Sequence, residues 1–153
     1  MKDITTVIFS GGENSNTYTT AKGLRGRELS YGRSGASLLT QMIVSWLYKT
    51  PGRDAIDPSF GGGLAELVYT NPSDRANTEH KIVMAVAAVE SQMKALQTGK
   101  DYPRDEMLKR LAIHPTKGII FHEDTHRWEI NIIAESLANE QMVINVPIGD
   151  TNV

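Results

Sequence analysis

The chain has no cysteine among its 153 residues, which excludes a disulfide framework, a thiolate metal cluster and every thiol nucleophile. Nor is there an apolar run approaching the about 20 residues a membrane-spanning helix needs, and the opening residues lack the charged-then-apolar pattern of a secretory signal. A strong charge of one sign is missing too. The net charge of -2 gives no overall attraction to nucleic acid or to an anionic membrane, and neither is expected as a partner. One local exception is the basic group Lys22, Arg25, Arg27 and Arg33, opposed only by Glu28, which reads as a solvated or partner-facing arm.

What is present is ordinary for a globular protein. With 40% hydrophobic and 22% charged residues, the composition argues against both disorder and a fibre. A chain of this length buries enough surface to hold one domain without staples.

Residues 1–36 hold one brief apolar run, Val7-Ile8-Phe9, in a field of Gly, Ser, Thr and Asn. That mixture supplies turns and little buried surface, so it reads as an extended N-terminal arm with one short strand. From residue 37 to 153 the texture is that of a single α+β domain. Leu38, Leu39, Met42, Ile43, Trp46 and Leu47 recur on one helical face, with Thr40, Gln41 and Ser45 elsewhere, Ser37 as N-cap and Thr50-Pro51-Gly52 as terminator. The loop that follows contains Pro58, Phe60, Gly61, Gly62, Gly63 and Leu64. A long helix is expected between about 74 and 98, with Ile82, Val86, Val89, Met93 and Leu96 on one face and Gly99 beyond its end.

After Pro103 the period shifts to two. Trp128, Ile130, Ile132 and Ala134 alternate with Arg127, Glu129, Asn131 and Ile133, and Met142, Ile144, Val146 and Ile148 alternate with Val143, Asn145 and Pro147. Residues 137–140 between them fit a hairpin, so the two strands should be antiparallel. Residues 107–113 and 118–121 add one or two strand segments. The expected fold is therefore α+β: an N-terminal arm and two main helices packed on a small C-terminal antiparallel β-meander, the long helix across one face. Such a sheet leaves two edges with unpaired backbone groups, which proline can blunt or a partner's strand can fill.

Signals for catalysis are thin. The Gly61–Gly63 stretch lacks the Lys-Ser/Thr ending of a phosphate loop, and a tight bend with Phe60 and Leu64 buried accounts for it better. His122-Glu123-Asp124-Thr125-His126 is the one dense group of acid/base or metal-ligand types, but a turn between strands does not align its two histidines. Glu66, Glu90, Glu129 and Glu135 are carboxylates without an evident catalytic pairing, and no Gly-x-Ser-x-Gly elbow exists. No cofactor or metal is expected.

The run Leu39-Thr40-Gln41-Met42-Ile43 to Leu47, then Thr50-Pro51-Gly52-Arg53, then Pro58-Ser59-Phe60-Gly61-Gly62-Gly63-Leu64, resembles the sheath-initiator baseplate wedge family of contractile phage tails. Related proteins occur in type VI secretion baseplates. The resemblance extends over about residues 37–149 and includes an ending near Val146-Pro147-Ile148. It implies a domain like the terminal domain of a sheath subunit, in a non-enzymatic component of the virion tail baseplate assembled in the host cytoplasm. The partners it implies are the tail sheath protein, other baseplate wedge proteins, and tube or hub proteins through the N-terminal arm. The family's Glu-Pro-Arg docking loop corresponds here to Tyr102, Pro103 and Arg104, with tyrosine where the family has glutamate. A ring and one hydroxyl thus replace a carboxylate. Pro58, Phe60, Gly61, Gly63 and Leu64 would form its structural loop. The strands carrying Trp128, Ile130, Ile132, Met142, Ile144 and Val146 would receive sheath arms and initiate the sheath. Because members have been labelled lysozyme-like, a peptidoglycan-active or metal-dependent hydrolase is the alternative.

Overall fold

The computed structural model describes residues 6–10, 17–22, 35–52, 59–69 and 74–149. In chain order the regular elements are β1 (Thr6–Ser10), β2 (Thr17–Lys22), α1 (Gly35–Tyr48), α2 (Arg75–Gln97), β3 (Leu108–Ile113), β4 (Ile119–His122), β5 (Arg127–Ser136) and β6 (Gln141–Ile148). Short 3-10 turns at Leu64–Tyr69 and Arg104–Glu106 precede α2 and β3.

The fold is α+β, with two helices and a C-terminal antiparallel sheet. β5 is its spine. It pairs antiparallel with β6 along one side, from Trp128↔Ile148 to Glu135↔Gln141. On its other side it pairs with β3 beside its second half and β4 beside its first. β3 and β4 are one strand interrupted by a turn. His114 N–H donates to Asn131 O at 2.8 Å, Asn131 N–H donates to Gly118 O at 3.0 Å, and Gly118 N–H closes the excursion onto His114 O at 3.0 Å.

The N-terminal residues hold two strands where one was expected. β1 and β2 form an antiparallel hairpin, and β2 lies parallel to β6 over three pairs, Thr17↔Val143, Tyr18↔Ile144 and Thr19↔Asn145. The sheet order is β1-β2-β6-β5-β3, with β4 also on β5.

The alternation read from β5 and β6 is the core pattern. Trp128, Ile130, Ile132, Ala134, Met142, Ile144, Val146 and Ile148 are all buried, together with Leu39, Ile43, Val44 and Leu47 of α1. Two contacts pin α1 to β6: Thr40 Oγ1 meets Met142 Sδ, and Tyr48 Oη donates to Pro147 O. Of the two helices, α2 lies along β3, and α1 packs against β1, β5 and β6.

Three other expectations change for identifiable reasons. α1 begins at Gly35, so Ser37 falls inside its first turn. The amide of Gly35, at φ 63°, is capped instead by Glu106 Oε1 at 3.1 Å, a contact across 71 residues that local pattern cannot reveal. Thr40 is buried rather than on the outer face, its hydroxyl satisfied by Ala36 O at 2.8 Å. On α2, Ile82, Val86, Val89 and Met93 are buried, but Leu96 is 48% exposed and Gln97 takes the core-facing place.

Gln97 is there because the chain entering β3 needs its amide. Its Oε1 accepts from Leu108 N–H at 2.8 Å, and its Nε2 donates to Glu106 O at 3.1 Å. Two turns back, Glu90 Oε1 accepts from Leu111 N–H at 3.2 Å. Both amides point away from β5, so side chains of α2 close the outer rim of β3.

Candidate functional site

The glycine stretch lies across the C-terminal end of α1. Gly62 N–H donates to Trp46 O and Gly63 N–H to Lys49 O, both at 2.9 Å, while Gly61 N–H donates to Gln92 Oε1 at 3.0 Å. These amides satisfy helix carbonyls that have no intrahelical partner, so they are spent and form no anion cradle. The backbone approach is close: a Cβ on Gly62 would come within 2.9 Å of Leu47 O, and one on Gly61 (φ 116°) would strike Lys49 O. Phe60 and Leu64 are buried on either side, as the bend requires, and Phe60 packs edge-on against Trp46 with centroids 3.9 Å apart. Pro58 lies outside the described residues.

The histidine turn does not converge. His122 Nε2 lies 3.0 Å from Glu129 Oε2, Glu123 pairs with Arg75 at 2.7 Å, and the His126 ring sits 6.4 Å from that of Phe121. Among the described residues no group of three His, Asp or Glu side chains is arranged to hold a metal ion. Of the other carboxylates, Glu90 serves Lys94 and β3, Glu135 pairs with Lys109 at 2.7 Å, and Glu66 is exposed.

A polar ladder does form on the outer face of the sheet. Asn131 and Asn145 are direct partners across β5 and β6; Asn145 Nδ2 donates to Asn131 Oδ1 at 3.0 Å and to Glu129 Oε1 at 2.6 Å. The His122 hydrogen bond holds the Glu129 carboxyl below its ordinary range, against the upward push of partial burial and with lesser help from the two asparagines. Periodicity alone places Asn131 and Asn145 only at positions alternating with the apolar residues. Their equal distance from the closing pair Ser136–Glu140 was the available signal that they meet.

This ladder stands beside the main-chain rim of β6. Asn131 spends its own N–H and C=O on the β3–β4 side. By antiparallel alternation, Asn145 opposite it therefore turns its main-chain groups away from β5, and so do Val143 and Pro147 two residues to either side. Pro147 has no N–H to offer there, and its carbonyl takes the Tyr48 hydroxyl. The usable rim thus ends at Asn145. Its Val143–Asn145 stretch is the part that β2 meets.

The six residues assigned to sheath-facing strands, Trp128, Ile130, Ile132, Met142, Ile144 and Val146, point inward and are 5% exposed or less. What these strands can present outward is main chain and the polar face, not those side chains. Tyr102, Pro103 and Arg104 are exposed, and Arg104 lies against the β5–β6 turn. Arg104 Nη2 donates to Leu137 O at 3.0 Å, Ala138 N–H donates to Arg104 O at 3.2 Å, and Tyr102 is 50% exposed. Leu96, about half exposed, precedes them across the Gly99 turn.

Compared with family models and with curated proteins, the sequence matches none. Among the described residues no helix is long and apolar enough to cross a membrane.

Proposed function

We propose that this chain is a non-catalytic structural subunit of a contractile-tail baseplate, docking on wedge proteins and starting the sheath by offering a sheet rim to extended arms of sheath subunits. The observation that carries the reading is the rim of β6. It is built from main-chain groups of Val143 and Asn145, bounded by Pro147, and already engaged in parallel by a strand from a distant part of the chain. A rim of this kind binds an extended segment by main-chain hydrogen bonds, with alternate side chains setting register. The order of elements supports the same reading: helix, Phe60-to-Leu64 bend, long helix, Pro103-Arg104 turn, antiparallel meander.

Docking on wedge partners is assigned to Tyr102, Pro103 and Arg104. Arg104 also ties down the β5–β6 turn, so Tyr102 offers the cleaner probe. Tails assembled with Tyr102→Ala plus Arg104→Lys should lack this subunit and carry no attached sheath in electron micrographs. Tails that incorporate this variant normally and grow full sheaths would sink the docking role. No observation favours the hydrolase alternative, since Glu90, Glu129 and Glu135 are each engaged with a neighbour.

A further inference from the structure

The geometry points to the β1–β2 hairpin as a self-donated placeholder. It occupies the Val143–Asn145 rim until an extended segment of another chain displaces it, and this inference rests on the strand-acceptor reading above. Four observations converge on it. β2 runs parallel to β6, the pairing geometry that is less stable per residue. It meets only three of the eight positions of β6. The hairpin's own partner strand, β1, has five residues, and an isolated two-stranded ribbon is marginal in water. Twelve residues separate β2 from α1, so a hairpin displaced from β6, and with it β1 from α1, remains tethered while α1, α2 and β3–β6 keep their contacts with one another.

The rim also states the chemistry of what replaces it. An incoming strand places one residue beside buried Ile144 and its two neighbours beside half-buried Val143 and Asn145, the latter next to the Glu129 carboxylate. That register asks for an apolar residue flanked by hydrogen-bonding ones. Because Pro147 closes the far end, the segment must enter from the side of Gln141 and stop near Asn145. The occupant is thus an extended, alternating polar–apolar segment supplied by another protein.

The absence of native cysteine makes the test direct. Three full-length proteins are compared: wild type, Tyr18→Pro to weaken the β2 ladder, and Thr17→Cys with Val143→Cys, at a register pair, to lock it by disulfide. The probe is a fluorescent peptide of alternating threonine and valine, lysine-ended and long enough to span Gln141 to Asn145, followed by anisotropy. Circular dichroism and Trp128 fluorescence check the fold. Tyr18→Pro should bind about tenfold tighter than wild type, as expected when a closed state is opened. The oxidised lock should not bind, and reduction should restore wild-type binding in the same sample.

Equal binding by wild type and Tyr18→Pro would overturn the placeholder while leaving the rim as a strand acceptor. Failure of a folded Tyr18→Pro protein to bind would overturn both the placeholder and the strand-acceptor reading. Equal binding by the oxidised lock would put the peptide elsewhere. Disulfide-linked dimers in place of the intramolecular lock would assign the hairpin to a second copy of this chain and overturn the inference.

Discussion

Along β3 the outward amides of Leu108 and Leu111 meet Gln97 and Glu90 of α2, whereas along β6 the outward groups of Val143 and Asn145 meet a strand delivered from the N-terminus. The difference is one of what else must break. Gln97 and Glu90 belong to a helix whose Ile82, Val86, Val89 and Met93 are in the core, so opening that rim means unpacking the protein. β2 is held at three residue pairs and β1 rests on α1, and removal of the hairpin leaves the helices and β3–β6 in contact with one another. One sheet can therefore carry a permanently closed edge and a conditionally closed one.

The strongest way to break that contrast is at Gln97. Gln97→Leu puts an apolar side chain, one atom shorter, in place of the amide and leaves Leu108 N–H and Glu106 O without partners at a buried site. The expected loss is about 3 kcal/mol in urea unfolding, read as a lower midpoint with an unchanged slope. A midpoint close to that of wild type would mean that water or another group can close the β3 rim. Tyr18→Pro should cost the global transition less than about 1 kcal/mol, because the hairpin opens below the stability of the core. Hydrogen exchange should then accelerate at Val143 and Asn145 and stay unchanged at Leu108 and Leu111. Acceleration at all four would make the two rims one cooperative unit.

Acid sharpens the comparison, with a smaller effect. Glu129, on the β6 side, has its carboxyl held below the ordinary range by His122, so its contribution is complete above the unfolded value and is lost as pH falls through the depressed folded value. Gln97 on the β3 side is neutral and brings no such dependence. Urea midpoints measured from neutral to acidic pH should fall more steeply for wild type than for Glu129→Gln, the two curves converging at the acid end. Parallel curves would remove Glu129 from the account. Lys109→Ala marks the floor, because its ion pair with Glu135 is largely solvated and should contribute no more than about 0.5 kcal/mol.

Much of the β6 side was legible in the primary structure, since a period of two in both strands and a short intervening turn leave one antiparallel register that buries the alternating apolar set of each strand on the same face. The helical face of α2 was legible up to Met93 for the same reason. It failed at its last step, where a spacing of three pointed to Leu96 and a hydrogen-bonding need selected Gln97. Thr40 was misread because its polarity is cancelled by a carbonyl one turn back. Of the proposed interaction residues, Tyr102 and Arg104 are at the surface, and the six strand residues are the core itself. The rim they leave behind is main chain, to which side-chain patterning is nearly blind.

Periodicity and turn chemistry alone determined that this chain has two main helices and a C-terminal β-hairpin, because burial of alternate or helically spaced apolar residues is a local requirement. Only the tertiary structure decided which helix covers the sheet, how α1 is capped by Glu106, and that the N-terminal strands return to β6. Those outcomes rest on single hydrogen bonds and short ladders between residues far apart in the chain, where the pairing energy is small and nothing in the neighbouring sequence records the partner.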